Sequence, residues 1–438
     1  MRLACLKHAR LITLLVAAAC GDRLLDVQNP DIIAPGDLKG QAGAQALFEG
    51  ARSEFITAHD GGAVSAYASI AGLVITSGLF SDEFLFPATP PDLVSVDRRD
   101  ATPINGFIDG EFLALHRART AADRAVAALT EIRDSSSRLA EASALAGYTY
   151  ALFGETFCSG VPFSQTVNGA IEPGSPLSTQ EMFEEALRRL DAAATRTAGD
   201  ADVANLVRVG RGRVLLDLGR FADAGQAVTS VPDDFRFENP HSTASATTRN
   251  AVNGWMWDTF FLGMADREGT NGLDYVTAAD PRTASEYAGI SALDLQTPVY
   301  RFIPYNSASS PVVLASGVEA RLIEAEAALR GNDPVRWLQH LNRARVQAGL
   351  GPLGDPGPSA RVDLMFRERA FGLYGTAHRL GDLRRLIRQY GRNAEAVFPT
   401  GAYHKDNLQR GVQVALLVPQ TEENNPNYSP ADCDPTKP

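Results

Sequence analysis

Four cysteines, seven histidines and a cluster of aromatic residues are the side chains whose chemistry narrows what this 438-residue chain can do. The cysteines are Cys5, Cys20, Cys158 and Cys433, and none has the C-x-x-C spacing of a zinc site. The histidines show no H-E-x-x-H or other ligand spacing, and the sequence has no G-x-S-x-G, no P-loop and no complete G-x-G-x-x-G. Glycoside hydrolysis needs two carboxylates facing a sugar. Among 52 acidic residues no pair is singled out by spacing. Recognition without turnover needs less. A pyranose ring is held by flat apolar faces for its C–H side and by amides and carboxylates for its hydroxyls. The stretch "NGWMWDTFF" supplies Asn253, Trp255, Trp257 and Asp258. Trp255 and Trp257 share a face if the segment is a strand and diverge if it is helical. Tyr275, Tyr287, Tyr300 and Tyr305 follow in the same region, and "FSDEFLFP" adds Phe84 and Phe86 beside Asp82 and Glu83, acids of a type that suits calcium but without EF-hand spacing. These are the candidate ligand-binding residues.

The amino end carries a second kind of chemistry. Arg2, Lys7 and Arg10 precede the apolar run LITLLVAAA, which is too short to span a bilayer. Val16-Ala17-Ala18-Ala19-Cys20 resembles the lipobox of a bacterial lipoprotein signal, although Leu is commoner than Ala three positions before the cysteine. That resemblance implies a signal peptide over residues 1–19 and a mature chain beginning at Cys20, the lipid anchor. Several acyl chains make a stable membrane tether. With Cys5 removed and Cys20 acylated, Cys158 and Cys433 remain, a disulfide candidate in an exported protein. Two unconnected thiols are the alternative. Net charge is −11, and −14 without the leader, which argues against nucleic acid as a partner.

These residues need elements to position them. The hydrophobic pattern is mainly helical, and strand alternation is scarce. Helices are expected over 111–130, 138–157, 178–195, 203–219 and 220–229, with Ser178 and Glu181 forming a capping box for the third. Residues 316–349 read as a helix pair. Asp333 caps the second helix, Pro334 occupies its first position and Gly349 stops it. Short turns and small contact residues are those of tetratricopeptide-like helix hairpins. The expected scaffold covers about 111–230 and 316–390, within one domain from residue 20 to 438. Two stretches interrupt it. Residues 58–105 are rich in Gly, Ser, Pro and Asp, and residues 231–315 hold eleven aromatics in 85 positions. Loops on a rigid scaffold are where binding residues concentrate.

Five phrases in order resemble the SusD/RagB family of outer-membrane nutrient-binding lipoproteins. They are Leu25-Asp26-Val27-Gln28-Asn29-Pro30, the helices around "FLALHRARTAADRAVAAL" and "YTYALFGETF", the pair at 316–349 with Glu324, Glu326, Asn342 and Arg345, "ERAFGLYGTAHRLGDLRR", and "LLVPQTEENNPNY". Departures are the inserted "ETFCSG" before Val161-Pro162 and Tyr374-Gly375, where the family often has Glu-Gly. The resemblance implies a mainly α, SusD-like fold with about four tetratricopeptide-like helix pairs and an irregular, aromatic ligand surface. It implies an oligosaccharide or other nutrient as ligand, no cofactor, no metal and no catalysis. As partner it implies a TonB-dependent, SusC-like outer-membrane β-barrel, at the outer membrane and facing the cell exterior. The alternative is a periplasmic tetratricopeptide-like scaffold that binds proteins and no sugar. The charged residues from Glu368 to Arg385, His378 among them, are expected to form a helix-packing network.

Overall fold

The computed structural model describes residues 39–62, 71–167 and 170–438. The expected signal peptide, Cys20 and the "LDVQNP" phrase lie outside the described residues.

Helix α1 spans Gly40–Asp60 and buries Ala44, Phe48, Ala51, Phe55 and Ala58, an alternating four-three spacing that places all five on one stripe. Helices α2 (Leu73–Phe80) and α3 (Pro91–Arg98) follow, so the stretch expected to be irregular over 58–105 is partly helical. Every residue of α2 is buried. A helix apolar on all sides has no periodicity to betray it. Helix α4 (Gly106–Glu131) starts where the Asn105 side chain accepts from the amides of Phe107 and Ile108. Helix α5 (Arg138–Thr156) buries every residue from Leu139 onward except Glu141. Helix α6 (Thr179–Ala194) opens on the Ser178–Glu181 capping box. Asp200 caps α7 (Ala201–Asp217), and α8 (Phe221–Val228) follows after a short break.

The second half of the scaffold is α9 (Gly317–Arg330), capped by Ser316, and α10 (Pro334–Val346), capped by Asp333. Helices α11 (Arg361–Gly372) and α12 (Arg379–Tyr390) complete it. Four pairs pack side by side: α1 on α4, α5 on α6, α7 on α8, and α9 on α10. Helix α1 supplies the partner of α4 that the sequence reading left unassigned. Its stripe is mostly alanine, a weak apolar signal. Helix α11 packs on α9 and α10, and α12 lies against α2 and α5.

Between α8 and α9 the chain is irregular. Strand β1 (Arg236–Asn239) pairs antiparallel with β4 (Val312–Ser316). A hairpin joins β2 (Ser285–Ile290) to β3 (Pro298–Phe302). The other strand pairs among the described residues are two or three residues long. One buried cluster runs from Phe55 to Val418 and includes Trp337, expected to be core.

The carboxyl tail returns to α5. Phe157 bridges to Leu416 in parallel, and Cys158 is joined to Cys433 by a disulfide, with their Cα atoms 5.2 Å apart. That Cα separation lies within the usual range for a disulfide.

Candidate functional site

The exposed aromatic residues of the loop-rich region gather at the β2–β3 hairpin. Its tip is tied by Asp294, whose carboxylate accepts from the amides of Gln296 and Thr297 and from the Thr297 hydroxyl. Ser291 N–H donates to Thr297 O across the turn. The register places Tyr287 opposite Tyr300 and Glu286 opposite Arg301, with a bulge after Tyr287. Directly opposed residues share one face of an antiparallel pair. The two tyrosine rings therefore lie side by side, 5.1 Å between centroids. Tyr287 is 54% exposed, while Tyr300 is half-buried against the core.

The other face carries Arg301. Its guanidinium lies 5.0 Å from the Trp257 ring and 4.6 Å from the Phe260 ring, with Glu286 at 3.5 Å. Arginine over an aromatic face is a cation–π contact worth about 0.5–2 kcal/mol. Trp257 comes from a wide helical turn, Gly254–Asp258, closed by Thr259 N–H donating to Gly254 O. Phe260 follows with a left-handed φ of 58° and is 38% exposed. Asp258 is paired with Arg249 at 2.9 Å. Flat apolar rings and charged donors and acceptors thus lie on the two faces of one hairpin and on the turn beside it.

Of the sequence candidates, Tyr287 and Tyr300 are brought together on one face of the hairpin, and Trp257 lies against Arg301 on the other. Trp255 and Trp257 diverge because their segment is helical. Trp255 is only 2% exposed, against Phe107 and Phe261. Phe84 and Phe86 are fully buried, and the Phe84 ring meets Tyr374. Tyr275 is fully buried between Phe371 and Tyr374. Phe84, Trp255 and Tyr275 are therefore core residues and drop out of the exposed surface. Tyr305 is also buried, and its hydroxyl donates to Gly375 O. The acids considered for calcium have internal partners. Asp82 accepts from Arg379 at 2.6 Å and 3.0 Å, and Glu83 accepts from the Gly375 amide. No group of three or more His, Cys, Asp or Glu among the described residues is placed to hold a metal.

Arg301 and Phe260 were not singled out by the sequence. The signal for Arg301 was its place one residue after Tyr300 in "VYRF", where alternation sends it to the opposite face.

No family model matches the chain, and no curated protein matches it by sequence. Solved structures do match by fold. A SusD superfamily protein from Bacteroides thetaiotaomicron superposes with a TM-score of 0.66 at 15% identity, covering 88% of this chain and 98% of that one. Surface glycan-binding protein A from Bacteroides uniformis gives a TM-score of 0.65 at 14% identity, over 88% and 98%. Surface glycan-binding protein A from Bacteroides thetaiotaomicron, solved with laminarihexaose, gives 0.63 at 15%, over 87% and 97%. A helical-pair scaffold matched along nearly its whole length to these structures means that this chain has the SusD-superfamily fold.

Proposed function

We propose that this protein is a lipid-anchored, cell-surface binding protein that captures an oligosaccharide and passes it to a SusC-like, TonB-dependent outer-membrane β-barrel. The observation that carries the binding role is the aromatic hairpin on a SusD-like scaffold, with exposed Tyr287 beside half-buried Tyr300 on one face and exposed Phe260 beside half-buried Trp257 and Arg301 on the other. Aromatic faces take the apolar side of a sugar ring, and Arg301 with Glu286 and Asp258 offers donors and acceptors for hydroxyls. The laminarihexaose held by one structural neighbour makes β-glucans the first ligands to try. Anchoring rests on the Val16–Cys20 signal, and delivery to a barrel rests on the family resemblance. No described helix is long and apolar enough to cross a membrane.

The test is calorimetry of residues 21–438 against laminarin, laminarihexaose and a panel of other glycans, with reducing ends assayed in parallel. Saturable binding without product release is expected. Trp257→Ala and Tyr287→Ala should each weaken it about 2- to 12-fold, the equivalent of a 0.5–1.5 kcal/mol aromatic contact. In cells, Cys20→Ala should release the protein from the membrane fraction, and the wild type should co-purify with a large β-barrel. No affinity for any glycan, or affinity that both substitutions leave unchanged, sinks the surface site. A wild-type protein found soluble in the periplasm without a barrel partner returns the protein-binding scaffold.

A further inference from the structure

The carboxyl end of α1 holds a buried cluster that the hairpin surface does not use. Asp60 ends the helix, His59 precedes it, and His241 reaches Asp60 from just beyond the end of β1. All three side chains are at most 1% exposed. The His59 ring stacks on Phe55.

Hydrogen counting assigns the state of each ring. Burial opposes a charge on Asp60, but His59 and His241 hold its carboxyl below the ordinary value, so it is ionised and can only accept. One oxygen accepts from His59 Nδ1, and the other from His241 Nε2 at 3.1 Å. The second nitrogen of His241, Nδ1, lies 3.3 Å from Thr248 O. A carbonyl oxygen can only accept. Both nitrogens of His241 therefore carry hydrogen, and the ring is an imidazolium. His59 needs one hydrogen only, because its buried Nε2 has no hydrogen-bond partner among the described residues.

The other charges nearby are matched or absent. Arg236 pairs with Glu238 at 2.8 Å, and Arg249 pairs with Asp258 at 2.9 Å. Residues 242–248 and 61–71 contain no charged side chain. Tyr305, whose hydroxyl feels the charge of Asp60, is kept neutral by burial, as are Glu83 and Glu111.

His241 and Thr248 are the two ends of one loop. Ser242 N–H donates to the same Thr248 O at 2.8 Å, and the Ser242 and Ser245 hydroxyls both donate to Thr248 Oγ1. Residues 243–248 are exposed, so the buried ring of His241 ties the loop to α1. Histidine is the side chain that ordinarily changes charge between about pH 5 and 8. Loss of the Nδ1 hydrogen sets a lone pair against Thr248 O. Loss of the Nε2 hydrogen sets one against the Asp60 carboxylate. Either leaves two acceptors facing each other, which is costly in a buried site. The closed arrangement binds one more hydrogen than an open loop, so acid favours it and alkali opposes it.

We propose that His241 is a proton-dependent clasp, which holds the 241–248 loop to the end of α1 while its ring carries both hydrogens and releases the loop when one is lost. The clasp does not depend on the reading of the hairpin surface.

The test is hydrogen exchange of residues 21–438 from about pH 5 to about pH 8, read by mass spectrometry and corrected for the intrinsic exchange rate. Protection of peptides covering 241–248 should fall about tenfold or more across that range, as expected for loss of a charge-assisted hydrogen bond, and should follow one proton. Peptides from α5, which report global opening, should not share the change. His241→Gln keeps a donor and an acceptor without the charge, and should leave the loop equally protected at both ends of the range. If that variant folds poorly, the wild-type profile decides. A flat profile, a profile shared by α5, or a pH response that survives His241→Gln overturns the proposal.

Discussion

Glu83 and Glu111 are carboxyls that burial keeps protonated. Both are pushed up to about 8 by loss of solvent, and the amides they accept from, Gly375 for Glu83 and Gly72 and Ala71 for Glu111, do not compensate. In the unfolded chain they ionise near the ordinary value of 4.5. Below that pH both states bind the proton and the folded form keeps its full advantage. Between 4.5 and 8 only the unfolded form releases it, so each group removes stability at up to about 1.4 kcal/mol per pH unit. Urea midpoints should therefore fall from pH 5 to pH 8. Glu83→Gln and Glu111→Gln should each flatten that fall, since Gln accepts the same amides and never ionises. At the hairpin, Arg301→Ala removes the cation lying between Trp257 and Phe260. It should weaken glycan affinity and also lower the melting temperature, because the side chain is largely buried and gives up cation–π contacts worth about 0.5–2 kcal/mol.

Helices α5 and α6 approach closely because α5 presents glycine where α6 presents bulk. A Cβ at Gly147 would lie 2.8 Å from the Leu190 side chain, and one at Gly154 would lie 2.6 Å from the Phe183 ring. Seven residues separate both pairs, two helical turns, so the contacts recur along one seam. Gly154→Val should cost about 1–3 kcal/mol through overpacking, measured by denaturant melts. The Cys158–Cys433 bond closes a span of 275 residues and holds the tail against the end of α5. Replacing both cysteines by alanine should cost about 2–5 kcal/mol, the usual loss on removing a native disulfide. Thiol titration of residues 21–438, denatured and unreduced, should find neither sulfur free.

Across the whole molecule, a buried ionic network fastens α9, α11 and α12 together. Arg385 pairs with Glu326 at 2.6 Å and with Asp382 at 2.8 Å, and Arg369 pairs with Asp382 at 2.7 Å. Arg379 carries the network to Asp82, just past the end of α2, and Arg384 donates to Gly154 O in α5. This is the helix-packing role expected of the segment from Glu368 to Arg385. Glu326→Ala would leave Arg385 buried with one fewer carboxylate, and it should destabilise by about 3–5 kcal/mol. Replacement of both partners by apolar residues of similar volume should cost less.

The scaffold is legible in local sequence wherever one face of a helix is apolar and its ends are capped. Ser178–Glu181, Asp333–Pro334 and the stripes of α4, α6, α9 and α10 are local patterns, and each helix begins within a few residues of its expected start. Helices α1 and α2 escaped because an alanine stripe and an all-buried octapeptide carry little contrast. Exposure in the loop-rich region is not a local property. Phe84, Trp255, Tyr275 and Tyr287 are all aromatics in irregular surroundings, and only packing against distant residues such as Tyr374 and Phe107 buries the first three. The cluster of Asp60 and His241 was equally hidden, because the two residues stand 181 positions apart and meet only in the folded chain. Composition and periodicity report how one segment faces its neighbours in sequence. Which aromatic remains in water depends on what the rest of the chain lays over it, a property of the folded molecule and of no single segment.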